Sequence, residues 1–289
     1  MSPRLRSPIT WLGGKRYTAH HILPLLPPHL HYVEPFGGGA SVLLAKPACK
    51  GTETYNDIDG GLVNFFKVLA DPEAFCQFYR RVILLPLSRQ LYAECRATWA
   101  EQEDPVERAV RWFVTAGQSF TGWFAVSWKH CVNKVTGGTA QAWDSALRRL
   151  PLVHARLSRV QIEYADFRTI LSRYQGPGYL AYCDPPYVHR TRSGIRYACE
   201  LTDADHAELV QLLLGYDGAV VLSGYRNEIY EPLEAAGWER REFDVPCYSF
   251  GITRAIVAKR GGRRVKPRRI ECVWRNPECL RRIAEGVPE

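Results

Sequence analysis

Residues 31–45 read His31-Tyr-Val-Glu-Pro-Phe-Gly-Gly-Gly-Ala-Ser-Val-Leu-Leu-Ala45. His31 to Phe36 has the apolar and aromatic character of a buried strand ending at the glycine run. Ser41 to Ala45 then reads as the start of a helix. A strand that passes to a helix through glycines is the opening unit of an α/β sheet. It sets backbone N–H groups where a nucleotide-like ligand docks. A tight structural turn explains such a run equally well. The dinucleotide fingerprint G-x-G-x-x-G is not met, because Val42 stands where the third glycine belongs. Hydride chemistry with a nicotinamide therefore loses support.

Outward from this unit the alternation continues. Thr52–Asp57 reads as a second strand and Gly61–Ala70 as a second helix. From Asp71 to Arg159 the pattern is helical, with helices expected over Pro72–Val82, Arg89–Glu103, Val106–Thr115 and Ser145–Ser158. Between them Trp123–Trp143, rich in Gly, Thr, Lys and aromatics, reads as a hairpin or loop. Strands are expected again at Val160–Tyr164, Tyr179–Cys183, Ala219–Ser223, Arg240–Val245 and Ile252–Lys259. Helices are expected between them at Phe167–Tyr174, Asp203–Leu214 and Glu228–Ala236. The whole predicts a mostly parallel sheet with helices on both faces. One α/β domain, residues 1–69 and 160–289, is interrupted by a largely helical insertion over 70–159.

The 289 residues are 46% hydrophobic and 24% charged, which excludes a disordered tail, a collagen-like chain and a coiled-coil rod. Lys and Arg number 38 against 30 Asp and Glu, a net charge of +8. That excess suggests a polyanionic partner, nucleic acid first, although a solvated basic face would carry the same charge. No stretch reaches the ~20 apolar residues that span a bilayer. The N-terminal residues lack the apolar core of a signal peptide, so a cytoplasmic protein is expected. Nine scattered cysteines without a Cys-x-x-Cys suit neither a disulfide framework nor a zinc site. No metal is expected.

The sharpest motif is Asp184-Pro-Pro-Tyr187, directly after the apolar strand Tyr179–Cys183. Two prolines withhold two N–H groups and keep the chain extended. The Asp184 carboxylate and the Pro185 carbonyl are then left to accept from one NH₂ group, with Tyr187 as a flat plate. Such a set suits a planar base with an exocyclic amine. A proline turn without function is the alternative. Asp57, at the end of the second strand, can accept both hydroxyls of a ribose or cap the helix that follows.

Taken together, Trp11-Leu-Gly-Gly-Lys15, Val33-Glu-Pro-Phe-Gly-Gly-Gly-Ala-Ser41, Asn56-Asp-Ile-Asp59, Tyr164-Ala-Asp-Phe167 and Tyr182-Cys-Asp-Pro-Pro-Tyr187 resemble the Dam-type (alpha-group) DNA adenine-N6 methyltransferases. Ser223-Gly-Tyr225 and Glu271-Cys-Val-Trp-Arg-Asn276 also fit, and the pieces occur in family order. The resemblance implies a Rossmann-like methyltransferase sheet and a target-recognition region in the insertion. It implies S-adenosylmethionine as donor, with Trp11 and Lys15 at its methionine end and Lys15 on the carboxylate. Glu34, Phe36, Gly37, Gly38 and Gly39 would line the pocket, Asp57 would hold the ribose, and Asp166 with Phe167 would contact the adenine. Asp184, Pro185, Pro186 and Tyr187 would be catalytic. Dam-like chains often place Gly where this one has Ala40.

The implied substrate is an adenine flipped out of duplex DNA, methylated at N6. Arg190, Arg192 and Arg196 follow the catalytic motif in a glycine-containing segment suited to phosphates. Arg263 and Arg264 belong to the densest basic stretch. Lys129, Asn133 and Lys134 suit base-edge readout. The insertion departs from the hairpin of GATC-specific members, so that site is not inferred. A monomer is expected, and a cognate restriction endonuclease is among the partners the resemblance allows. Methylation of cytosine N4, an RNA adenine or a protein amide, and an inactive DNA-binding protein of this shape, are the competing functions.

Overall fold

The computed structural model describes residues 4–120, 124–129, 138–191, 199–246 and 267–286. Among them a seven-stranded sheet runs in the order β3-β2-β1-β4-β5-β7-β6. The strands are β1 (His31–Glu34), β2 (Glu53–Asn56), β3 (Val160–Glu163), β4 (Tyr179–Cys183), β5 (Ala219–Gly224), β6 (Glu239–Pro246) and β7 (Arg268–Arg275). β1 to β5 pair in parallel. β7 is antiparallel to both β5 and β6. This is the expected α/β architecture, a mostly parallel sheet of the Rossmann-like methyltransferase kind.

The central strands β1, β4 and β5 bury apolar residues on both faces because both faces are covered. In β4, Leu180 and Tyr182 point into one buried cluster, while Ala181 and Cys183 point into another. β1 and β5 split in the same way, Tyr32 against Val33 and Val221 against Val220. That is the two-residue period of a pleated strand. The first face is covered by α1 (Ser41–Ala45), α2 (Gly60–Ala70), α3 (Pro72–Val82), α4 (Arg89–Thr98), α5 (Pro105–Gln118) and α6 (Gly138–Leu157). Phe65, Phe78, Phe113 and Leu150 from these helices share one core with Tyr32 and Tyr55 of the sheet. The second face is covered by α7 (Phe167–Arg173), α8 (Asp203–Leu214) and α9 (Glu231–Ala235), through Phe167, Leu209 and Leu233. α10 (Pro277–Glu285) follows β7.

Short polar side chains set where the helices begin, each accepting from otherwise unpaired first-turn N–H groups. Asp59 caps α2, Asp71 caps α3, Asp104 caps α5, and Thr202 with Asp205 forms a capping box on α8. The far end of the sheet is closed by charge. Glu53, only 2% exposed, takes Arg156 of α6 on both oxygens, at 2.5 and 2.8 Å, and Lys46 Nζ at 2.5 Å. Burial pushes this carboxyl upward, but the bonds from Arg156 and Lys46 win and hold it below its ordinary value.

Three expectations need correction. β7 covers Arg268–Arg275, a stretch read from sequence only as a basic tail and a closing motif. α6 begins at Gly138, so part of the expected Trp123–Trp143 loop is helical. α4 gives way to a short 3₁₀ turn at Trp99 and does not reach Glu103. The expected strand Ile252–Lys259 lies outside the described residues.

Candidate active site

β1 is the point where the chain order reverses: β2 lies on one side of it and β4 on the other. In an open parallel sheet the crevice beyond the carboxyl ends at such a point is the natural ligand site. Here it holds a cavity of about 330 Å³. Its walls include Trp11, Lys15, Glu34, Phe36, Gly37, Gly38, Gly39, Asp57, Asp166, Phe167, Asp184, Pro185 and Pro186. Every donor-side residue expected from sequence therefore meets three members of the expected catalytic motif around one space.

The glycines are needed for closeness. A Cβ on Gly37 would sit 2.1 Å from the Tyr55 ring, and one on Gly38 would sit 3.0 Å from Trp11. Gly38 has φ +48, and Ala40 is itself left-handed at φ 53, ψ 33. The backbone thus explains why a glycine suits position 40, and Ala40 adopts the same conformation with a Cβ. Asp57 is bound to this loop: one carboxylate oxygen accepts Gly38 N–H at 2.8 Å and the other Asp59 N–H at 2.9 Å. Burial nevertheless raises its pKa to about 6 against those two bonds. Asp59, not Asp57, caps the following helix. Asn56, which sequence reading left without a role, ties Pro35 and Ala165 together by donating to both carbonyls, at 2.8 and 3.0 Å.

Phe36 and Phe167 meet at 5.2 Å between ring centroids, and Arg168 lies over Phe167 at 4.4 Å. Asp166 caps α7 by accepting Arg168 N–H at 2.9 Å and also pairs with the Arg168 guanidinium. Arg168 reaches Asp205 and Glu208 of α8 at 2.6 Å each, which ties the two helices together. Glu34 is 2% exposed and accepts from Tyr32 OH at 2.6 Å. Burial outweighs that bond and raises its carboxyl to about 8, so Glu34 is largely neutral at pH 7.

The catalytic corner differs from expectation in two ways. Lys15 Nζ lies 2.6 Å from Asp184 Oδ1, 3.3 Å from Glu271 Oε1 and 3.2 Å from Gly13 O. The lysine expected on the donor's carboxylate is thus held between two carboxylates of its own chain. Tyr187, expected as a flat plate for the base, is 7% exposed. Its hydroxyl donates to Glu271, its ring meets Tyr225 edge-on at 4.7 Å, and Lys15 lies over it at 4.8 Å. Burial raises Asp184 to about 6; the charge of Lys15 pulls it down and that of Glu271 pushes it up. Glu271 appeared in the sequence only as part of a closing motif. Its signal was a carboxylate inside the apolar run Ile270-Glu-Cys-Val-Trp274, where an unpaired charge is costly.

On the DNA side, Lys129 N–H donates to Gln118 O at 2.7 Å beside an antiparallel bridge between Ser119 and Trp128. Arg190 is exposed and pairs with Glu228 and, at 3.8 Å, with Asp203. Its guanidinium is engaged within the chain. Asn133, Lys134, Arg192, Arg196, Arg263 and Arg264 lie outside the described residues. No group of three or more His, Cys, Asp or Glu side chains among the described residues is arranged to hold a metal ion. None of the described helices is long and apolar enough to cross a membrane.

A family model for D12 class N6 adenine-specific DNA methyltransferases matches residues 11–239. The chain belongs to this family. It is an enzyme that methylates DNA at adenine N6. The match starts at Trp11 and ends at Glu239, so it takes in the whole lining of the cavity but not β7 of this methyltransferase. No curated protein matches the chain.

Proposed function

We propose that this methyltransferase takes the methyl group from S-adenosylmethionine and places it on N6 of an adenine flipped out of duplex DNA at a specific site. The observation that carries the reading is that the Asp184-Pro185-Pro186 acceptors and the Gly37–Asp57 loop open onto the same cavity. The residues around the glycine loop suit a nucleoside. Asp57 would accept the ribose hydroxyls, Phe36 and Phe167 form an aromatic wall, and Glu34, raised to about 8, adds little charge at neutral pH. When bound there, S-adenosylmethionine supplies an electrophilic methyl on sulfur.

The chain's own residues do the rest. The N6 lone pair of adenine is spread into the ring and attacks poorly. Asp184 and the Pro185 carbonyl accept from its two hydrogens, which favours a tetrahedral nitrogen and aligns it for attack. Lys15 holds Asp184 through Oδ1, and Oδ2 is the oxygen this reading assigns to the amine. The methylated amine sheds its extra proton readily, so Asp184 need not be a strong base. Adenine inside a duplex cannot reach this pocket, hence the flipping. Lys129, Asn133, Lys134, Arg190, Arg192, Arg196, Arg263 and Arg264 are the proposed DNA contacts, with the region around 70–159 reading the site.

The test is transfer of labelled methyl from S-adenosylmethionine to duplex DNA, followed by nucleoside analysis. Label in N6-methyladenosine is expected. Label in N4-methylcytosine, or only in RNA or protein, refutes the reading.

A further inference from the structure

Glu271 sits in β7 among Cys272, Val273 and Trp274, each 0% exposed. A carboxylate in such a strand persists only with partners. Its partners among the described residues are the Lys15 ammonium and the Tyr187 hydroxyl. Both belong to the corner that holds Asp184, and Glu271 is not itself part of the cavity wall. It therefore meets this corner from behind. An ammonium has three N–H donors. Lys15 Nζ donates to Gly13 O and Asp184 Oδ1 and lies 3.3 Å from Glu271 Oε1, so loss of the Glu271 carboxylate removes one of the two charges that hold the ammonium in place.

We propose that Glu271 is a positioning residue for methyl transfer: from outside the pocket it anchors Lys15 and Tyr187, so that Lys15 meets Asp184 through one oxygen and the other stays directed at the substrate amine. This rests on the methyl-transfer reading above. β7 thereby completes a site whose other parts come from the N-terminal segment and from β4. The groups that act on Asp184 are Lys15 from the N-terminal segment, Glu271 from β7, Tyr187 after β4, Tyr182 on β4 and Glu34 on β1. Of these, Glu271 and Lys15 have opposite effects: loss of the Glu271 charge removes a repulsion on Asp184 and a competing anion beside Lys15, and both changes favour the ionised carboxylate.

The test uses the full chain and the variants Glu271→Gln and Glu271→Ala. Single-turnover methyl transfer is followed against pH, cofactor affinity is measured by calorimetry, and Asp184 is titrated by carboxyl ¹³C NMR, its signal assigned with Asp184→Asn. In Glu271→Gln the Asp184 titration and the acid limb of the rate should both move to lower pH, with cofactor affinity within twofold. Glu271→Ala should slow transfer at least tenfold at every pH. If it does not fold, Glu271→Gln decides alone. A Glu271 that acts on Asp184 by charge alone would move the titration without slowing transfer in Glu271→Ala, and a merely structural one would lower the melting temperature without either effect, so a folded Glu271→Ala with wild-type transfer also overturns the proposal. An unmoved Asp184 titration, or a limb that stays in place, overturns the proposal. An inactive wild type whose Asp184 titration still moves in Glu271→Gln removes the methyl-transfer reading but keeps the link between Glu271 and Asp184.

Discussion

Replacing Lys15 by Gln separates two roles for this lysine. If its main partner is Asp184, at 2.6 Å, the substitution removes the ammonium that holds that carboxylate ionised. An opposite charge at such range lowers a carboxyl pKa by roughly 1–3 units. Asp184 stands at about 6 with Lys15 in place. Without it, the value should rise to roughly 7–9. The sign follows: a protonated Asp184 loses an acceptor for the amine, so activity falls on the acid side and the limb moves to higher pH. At pH 7 the ionised fraction drops from about 0.9 to between about 0.5 and 0.01, so the rate falls roughly twofold to ninetyfold. Raising the pH should restore much of the loss. Removing one member of a buried ion pair also costs about 3–5 kcal/mol of stability, so the fold must be checked by circular dichroism. The assay is single-turnover transfer from pH 5.5 to 9.5, with calorimetry for the cofactor. A limb that stays in place, together with a collapse of cofactor affinity, would refute this reasoning and return Lys15 to the donor's carboxylate.

Three further outcomes are expected. Asp184→Ala should abolish transfer while leaving calorimetric cofactor affinity largely intact, and an active variant would sink the mechanism. Asp57→Ala should weaken cofactor binding by about 1–3 kcal/mol through lost charged hydrogen bonds. In the wild type that affinity should decline below about pH 6, as Asp57 takes up its proton, and a flat affinity from pH 7 to 5 would remove Asp57 from the site. Gly37→Ala should lower thermal stability by at least about 1–3 kcal/mol, because its Cβ would meet the Tyr55 ring at 2.1 Å; an unchanged melting temperature would contradict the tight packing of the loop.

Where local chemistry decides an element, the sequence was a reliable guide. Pro72–Val82 and Asp203–Leu214 have the expected bounds because Asp71 and Thr202 are strong caps. Tyr179–Cys183 also has its expected bounds, an apolar run stopped by two prolines. Much of the cavity lining was legible because Glu34–Gly39, Asp57, Asp166–Phe167 and Asp184–Pro186 are short motifs just past strand ends, whereas Cys199, Glu200 and Leu201 also line it and carry no such signal. What could not be read is pairing over distance. Lys15 and Asp184 are 169 residues apart, and no local rule tells a lysine beside a glycine turn which carboxylate it will meet. β7 was obscured by its own ends: Arg268 and Arg269 open it, and these read as a tail until β5 and β6 are seen on either side. Ala40 shows a third limit, since its left-handed backbone is imposed by the loop around it and not by the residue.

The clamp of Arg156 on Glu53 bears on any attempt to replace residues 70–159 with the matching segment of another enzyme. Arg156 would leave with the graft, while Glu53 and Lys46 would stay with the host. A donor segment without a cation at that place would leave a buried carboxylate with half its partners, a penalty of about 3–5 kcal/mol. The aromatic seam makes the same demand, since Phe113 of the graft stacks on Phe65 of the host at 5.5 Å. A chimera that keeps its junctions tidy in sequence can therefore fail at the far end of the sheet, away from the cavity at the carboxyl ends of the strands. Successful swaps should carry α2 along and match position 156 to position 53.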